Sequence, residues 1–308
     1  MGHSLGTKTA YGQGVRNYSN FARRFNITGV TFADLQAFVV YLVSDMRLQF
    51  KTIKTYIYAV KDWACEMGLR DPTIDLHGSR HLFKKSLLGA QRACFRRERE
   101  RRPLKRKHMR NILENFGKTP FCQRDKLAFI AAILIAYYGF LRSGEYLTTP
   151  TNSCGLLRRR DIKLLREGSS QTINRVKIRL RCTKTSQLSA KFINIFAQES
   201  EWCPIKALIA YLNSSSVGMD DPLFWSAGKP FTARRFNMML RIGAKTAGLN
   251  PVLYSSHSLR SGAASEAGDC SVPSWVIQRL GRWKSNCFSL YIRSPITPLK
   301  KGQDAIRV

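Results

Sequence analysis

Fifteen residues, Leu127 to Leu141, pass without a charged side chain and stop at Arg142. No other feature limits the fold as tightly. The run is shorter than the roughly 20 residues a membrane span needs. It therefore predicts a helix buried in a protein core, inside a longer helical stretch over 124–147, with a cation at its end. A chain of 308 residues, 44% of them hydrophobic, has the material for two ordinary domains around such cores.

Charge narrows the function. The chain carries 51 Lys and Arg against 20 Asp and Glu, net +31. A fold does not need that excess, and a polyanionic partner accounts for it. Residues 1–102 hold net +10 and residues 103–308 net +21, so both halves are expected to face phosphate, as in a clamp. The partner expected from charge is a nucleic acid.

The first hundred residues read as helices. After Thr31, with Asp34 as capping partner, Leu35, Phe38, Val39, Leu42 and Val43 form one helical stripe. A second stripe runs Ile53, Ile57, Val60, Ala64, Met67, with Gly68 as its stop. Lys51, Lys54 and Lys61 give this bundle a cationic face. The segment Arg96–Lys107, RRERERRPLKRK, shows no amphipathic period and is broken by Pro103. It reads as an exposed basic linker between a domain over 1–95 and another over 108–308, or as a nuclear import signal.

The second domain is expected to open with helices around 105–116 and 124–147. In 175–182, Val176, Ile178, Leu180 and Cys182 alternate with Lys177, Arg179 and Arg181, the pattern of a half-buried strand with a basic outer face. TKTSQLSA turns the chain and KFINIF returns it, which puts Lys184 near a hairpin tip, flanked by Lys177 and Lys191. Helices are expected to resume at Pro204, Thr232, Ser256 and Ser271, and a short last helix to carry Phe288, Tyr291 and Ile292. The fold class is mainly α with a small β-sheet.

Three segments stand out: GFLRSGEYL at 139–147, HSLR at 257–260, and LGRWKSNCFSLYI at 280–292. In order and spacing they resemble the tyrosine recombinase (phage-integrase-like) family. That family carries an Arg in an R-x-S-E-like block, a hairpin Lys, an H-x-x-R block, and an L-G-[HW] block with a Tyr nine residues on. The resemblance implies that Tyr291 is the nucleophile and that Arg142, Lys184, His257 and Arg260 surround the scissile phosphate. It also implies a helical core-binding (SAM-like) domain ahead of a mixed α+β catalytic domain. The G-R-W wording is most similar to recombinases of eukaryotic mobile elements, the Cryptons and DIRS-type elements. Two positions depart from the pattern. Gly144 replaces a Ser, and Arg282 stands where the family has His or Trp, so either Arg282 or its neighbour Trp283 fills a sixth place. Glu145 reads as structural, fixing Arg142 or a helix end.

These residue types suit phosphoryl transfer without the family. Arginine offers a fixed fork of donors for an anionic phosphodiester. Tyrosine can hold a covalent phosphoester; with an ordinary pKa of ~10 it needs a neighbouring His or cationic field to lose its proton. Lysine can protonate the leaving oxygen. Because the phosphotyrosine stores the bond energy, neither a cofactor nor a metal is expected.

The eight cysteines form no C-x-x-C pair and do not cluster with the five histidines. They read as reduced, mostly buried thiols of an intracellular protein, nuclear if the host is eukaryotic and otherwise cytoplasmic. MGHSLGTKTA lacks the apolar core of a signal peptide, and no membrane partner is expected. The resemblance further implies double-stranded DNA as the partner and a homo-oligomer, a dimer on one site and a tetramer in synapsis. A relaxing enzyme of the type IB class and a catalytically inactive DNA-binding relative are the competing readings.

Overall fold

The computed structural model describes residues 5–94, 101–149, 155–166, 172–181, 190–285 and 288–289. The chain divides into two compact units, Met1–Arg99 and Glu100–Val308.

The first unit is helical: α1 (Leu5–Arg24), α2 (Phe32–Ser44), α3 (Phe50–Glu66) and α4 (His81–Ala93). Both apolar stripes face inward. Leu35, Phe38, Val39 and Leu42 of α2 and Ile53, Ile57, Val60 and Ala64 of α3 are buried, whereas Met67, past the end of α3, is exposed. The polar run of α1 hid two large anchors. Tyr18 packs edge-on against Phe38 at 5.1 Å and donates its hydroxyl to Gly29 O. Thr31 and Asp34 close a capping box: Asp34 N donates to Thr31 Oγ1 at 3.2 Å, and Thr31 N to Asp34 Oδ2 at 2.8 Å. Thr31→Ala is expected to lower stability by about 1 kcal/mol in urea unfolding, with an unchanged m-value.

The second unit is built on α6 (Gln123–Tyr138), whose residues from Ala131 to Ala136 are fully buried. A helix apolar on every side must be covered on every side. It is covered by α8 (Pro204–Asn213) and α10 (Ser256–Asp269), with α5 (Arg106–Phe116) and α9 (Ala233–Thr246) packed together beside it. Phe129 of α6 stacks on Phe116 of α5 at 4.2 Å and touches Phe236 of α9. The sheet β1 (Ile162–Leu165), β2 (Arg175–Leu180), β3 (Lys191–Phe196) is antiparallel throughout, in that order. Val176, Ile178 and Leu180 point into the core, while Lys177 and Arg179 face outward. The expected hairpin is therefore present, and its tip, with Lys184, lies outside the described residues. A second ribbon, β4 (Trp225–Ser226) and β5 (Lys229–Pro230), precedes α9.

Four expectations need correction. Residues 101–107 are not an exposed linker. Leu104 is fully buried, Arg102 N donates to Leu253 O, and Leu104 N donates to Ser258 O at 2.8 Å. An apolar side chain embedded in a basic run was sufficient to anchor it, and Lys105 and Arg106 pair with Asp269 and Glu266 of α10. Nor does the apolar helix continue to 147. It ends at Tyr138, the chain turns at Phe140 with φ +47°, and α7 (Ser143–Tyr146) begins anew after Arg142. The last long helix, α11 (Ser274–Gly281), starts after Pro273 rather than at Ser271, whose own φ is +57°. Finally, Cys65, Cys122 and Cys270 are exposed, and only Cys94 and Cys203 of the described cysteines are buried. Among the described residues no helix is long and apolar enough to cross a membrane.

Candidate functional site

The break between α6 and α7 creates the site. Arg142 is the N-cap residue of α7, and Glu145 closes the turn by accepting from Arg142 N at 2.9 Å and from its guanidinium Nη1 at 3.1 Å. Glu145 is buried; the Arg142 side chain keeps 20% of its surface open. A carboxylate out of water requires paired charge, and a second arginine supplies it. Arg282 donates from Nη2 to Glu145 Oε2 at 2.8 Å. Burial pushes the pKa of Arg282 down, Glu145 opposes that, and Arg142 adds to it.

The H-x-x-R block lies on the first turns of α10. His257 is exposed, with Nδ1 3.3 Å from Ser143 Oγ, beside Arg142. Arg260, one turn on, is buried and donates to Phe140 O and Gly281 O. Its guanidinium lies over the Trp283 ring at 4.4 Å, a cation–π contact in a desolvated setting.

The G-R-W block can now be read physically. A Cβ at Gly281 would stand 1.7 Å from the Trp283 ring, so only glycine leaves room for that ring. Arg282 takes a left-handed conformation, φ +56°, at the end of α11. This turn sends its side chain inward to Glu145 while Trp283 passes beneath Arg260. Sequence reasoning left Arg282 and Trp283 as alternatives for one place; the two occupy different places, one at Glu145 and one under Arg260.

Four of the six residues singled out in the sequence thus meet around the 139–145 turn: Arg142, His257, Arg260 and Arg282. Three guanidinium groups gather at this turn, two of them paired with the Glu145 carboxylate and the third donating to Phe140 O, which leaves a net positive site suited to an anionic group. The other two, Lys184 and Tyr291, lie outside the described residues. The hairpin base borders the same region. Lys191 and Phe192 of β3 line a cleft of about 350 Å3 with Trp275, Arg279 and Trp283. Sequence reasoning missed Phe140, whose carbonyl accepts from both Arg260 and Arg282. No sequence signal marked it, because Phe140 stands inside an apolar run that reads as continuous helix.

This arrangement, a mainly helical chain with a small antiparallel sheet, is the tyrosine recombinase fold. The chain is similar to the XerH site-specific recombinase bound to difH substrate in a pre-cleavage complex. The identity is 13%, the TM-score 0.62, and the match covers 97% of this chain and 79% of that one. It is similar to the Tn1549 transposon integrase in complex with transposon right-end DNA, at 14% identity and TM-score 0.60, over 99% of this chain and 94% of that one. A lambda integrase dimer bound to a COC′ core site matches at 16% identity and TM-score 0.57, over 94% and 89%. No protein-family model and no curated protein matches the chain.

Proposed function

We propose that this protein is a site-specific DNA recombinase or integrase working through a 3′-phosphotyrosine intermediate. One observation carries the reading. Arg142, His257 and Arg260, from segments more than a hundred residues apart, converge on one turn with excess positive charge. The three similar structures, all DNA complexes by their descriptions, support the same reading.

In this reading Tyr291 Oη attacks the scissile phosphorus. The bond to the 5′-oxygen breaks, and that oxygen leaves as a hydroxyl with a proton from Lys184. Arg142 and Arg260 offset charge on the non-bridging oxygens, which is worth most in a site shielded from water. His257 takes the Tyr291 proton. A 5′-hydroxyl of the partner duplex then attacks the phosphotyrosine and rejoins the strand; its proton returns to Lys184, and His257 gives its proton back to the released Tyr291 oxygen. Two protomers act on inverted half-sites and four hold two duplexes. The G-R-W wording supports an origin in a eukaryotic mobile element of the Crypton or DIRS type, and with it a nuclear location.

The test is a nicked suicide DNA whose released fragment diffuses away. The unaltered chain is expected to become covalently trapped and Tyr291→Phe not to. Trapping by Tyr291→Phe removes the assignment of the nucleophile. Relaxation of supercoiled DNA by a monomer without strand exchange makes the protein a relaxing enzyme instead. Salt-sensitive DNA binding with no trapping makes it a non-catalytic relative.

A further inference from the structure

We propose that Arg282 is a positioning residue, which acts on Glu145 and on the 139–140 turn, and through them on Arg142 and Arg260, but does not touch the DNA phosphate. The inference rests on the recombinase reading above.

The guanidinium is committed to the protein. Nη1 donates to Gly139 O at 3.0 Å and, more weakly, to Leu280 O at 3.4 Å. Nη2 donates to Phe140 O at 3.2 Å and to Glu145 Oε2 at 2.8 Å. Four terminal N–H groups therefore have four acceptors. The fifth donor, Nε, is buried and has no partner among the described residues, and only 6% of the side-chain surface is open. An incoming phosphate finds no exposed donor on this side chain.

Its effect is on Arg142. An arginine and a carboxylate favour a two-pronged pair with parallel hydrogen bonds. Here Glu145 Oε2 is already taken, by Arg142 N and by Arg282 Nη2, so the Arg142 guanidinium reaches the carboxylate through Oε1 alone. Without Arg282, the Arg142 guanidinium would be drawn across both oxygens of Glu145 into a neutral, closed pair. With Arg282 in place, two cations share one anion and Arg142 keeps its charge toward its open face. Arg282 also donates to the same Phe140 carbonyl as Arg260, so it fixes an acceptor that orients the second arginine.

The test measures cleavage of the nicked suicide DNA and DNA affinity separately in the full chain, for Arg282→Met, Glu145→Gln and the double variant. Arg282→Met is expected to slow cleavage about 100-fold while changing affinity less than about threefold, because no phosphate contact is lost. Adding Glu145→Gln is expected to return at least tenfold of that loss, since a neutral amide does not draw in Arg142 as an ion partner; the double-mutant cycle isolates this coupling. No recovery in the double variant, or a weakened salt dependence of binding in Arg282→Met, overturns the inference. The unaltered protein gives a second reading if Arg282→Met does not fold. Arginine Nε–H NMR resonances are compared on DNA with an ordinary or a methylphosphonate scissile linkage. Arg142 and Arg260 are expected to respond and Arg282 not to; a response at Arg282 overturns the inference. If the unaltered chain is never trapped on DNA, the recombinase reading itself fails; if it is trapped and these outcomes fail, only the role of Arg282 does.

Discussion

Arg142→Ala is expected to slow strand cleavage about 1000-fold, roughly 4 kcal/mol of barrier, while DNA affinity changes by less than about threefold. The side chain is the open member of the guanidinium cluster, 20% exposed, and the next residue, Ser143, meets exposed His257. A donor aimed at developing charge in a shielded site acts mainly on the transition state, so it registers in rate more than in binding. On a chain with 51 basic residues, one phosphate contact is a small part of the electrostatic attraction. The salt slope of binding should fall by about one. Arg142→Lys is expected to recover little, because a point charge does not reproduce the planar fork. Single-turnover cleavage of the suicide DNA and a salt titration of affinity check both halves. Cleavage within about tenfold of the unaltered chain would remove Arg142 from the site.

The largest effect on stability is expected at Gly262. A Cβ there would lie 2.0 Å from the Leu104 carbonyl oxygen and 2.5 Å from its carbon, and backbone atoms cannot swing aside as a flexible side chain can. Gly262→Ala must therefore lift residues 102–105 or displace α10. Lifting this segment exposes Leu104 and breaks its hydrogen bond to Ser258; displacing α10 moves His257 and Arg260. Overpacking combined with a lost buried contact costs about 3 kcal/mol or more, or about 10 °C in Tm for a unit of this size. Calorimetry of the full chain reads this directly, and cleavage should drop with it. Gly117→Ala is the control. Gly117 has right-handed helical angles and open space around its Cβ position, so that change is expected to be neutral or slightly stabilising. An unchanged Tm for Gly262→Ala would show that residues 102–105 and α10 are not in the close contact described.

Local patterning made much of the fold legible. The stripes of α2 and α3, the Thr31 cap and the alternation in β2 each record a period and a buried face, and a period survives in one dimension. The same logic failed where burial came from single residues. Tyr18 in a polar helix and Leu104 in a basic run have no period, and their burial depends on partners far along the chain. The break at Gly139–Phe140 lay inside an apolar run, where helical and extended residues look alike.

The sequence alone carried the buried stretch of one core helix, the excess of positive charge, and the order of the residue types proposed to carry the chemistry. These follow from composition, spacing and the order of blocks along the chain. Only the tertiary structure decided how the cations are shared. Glu145 meets the Arg142 guanidinium through one oxygen, while Arg282, 137 residues away, holds the other. Arg260 rests on Trp283 because Gly281 gives its ring room. Electrostatic coupling depends on distance and burial in three dimensions, and the string of residues records neither.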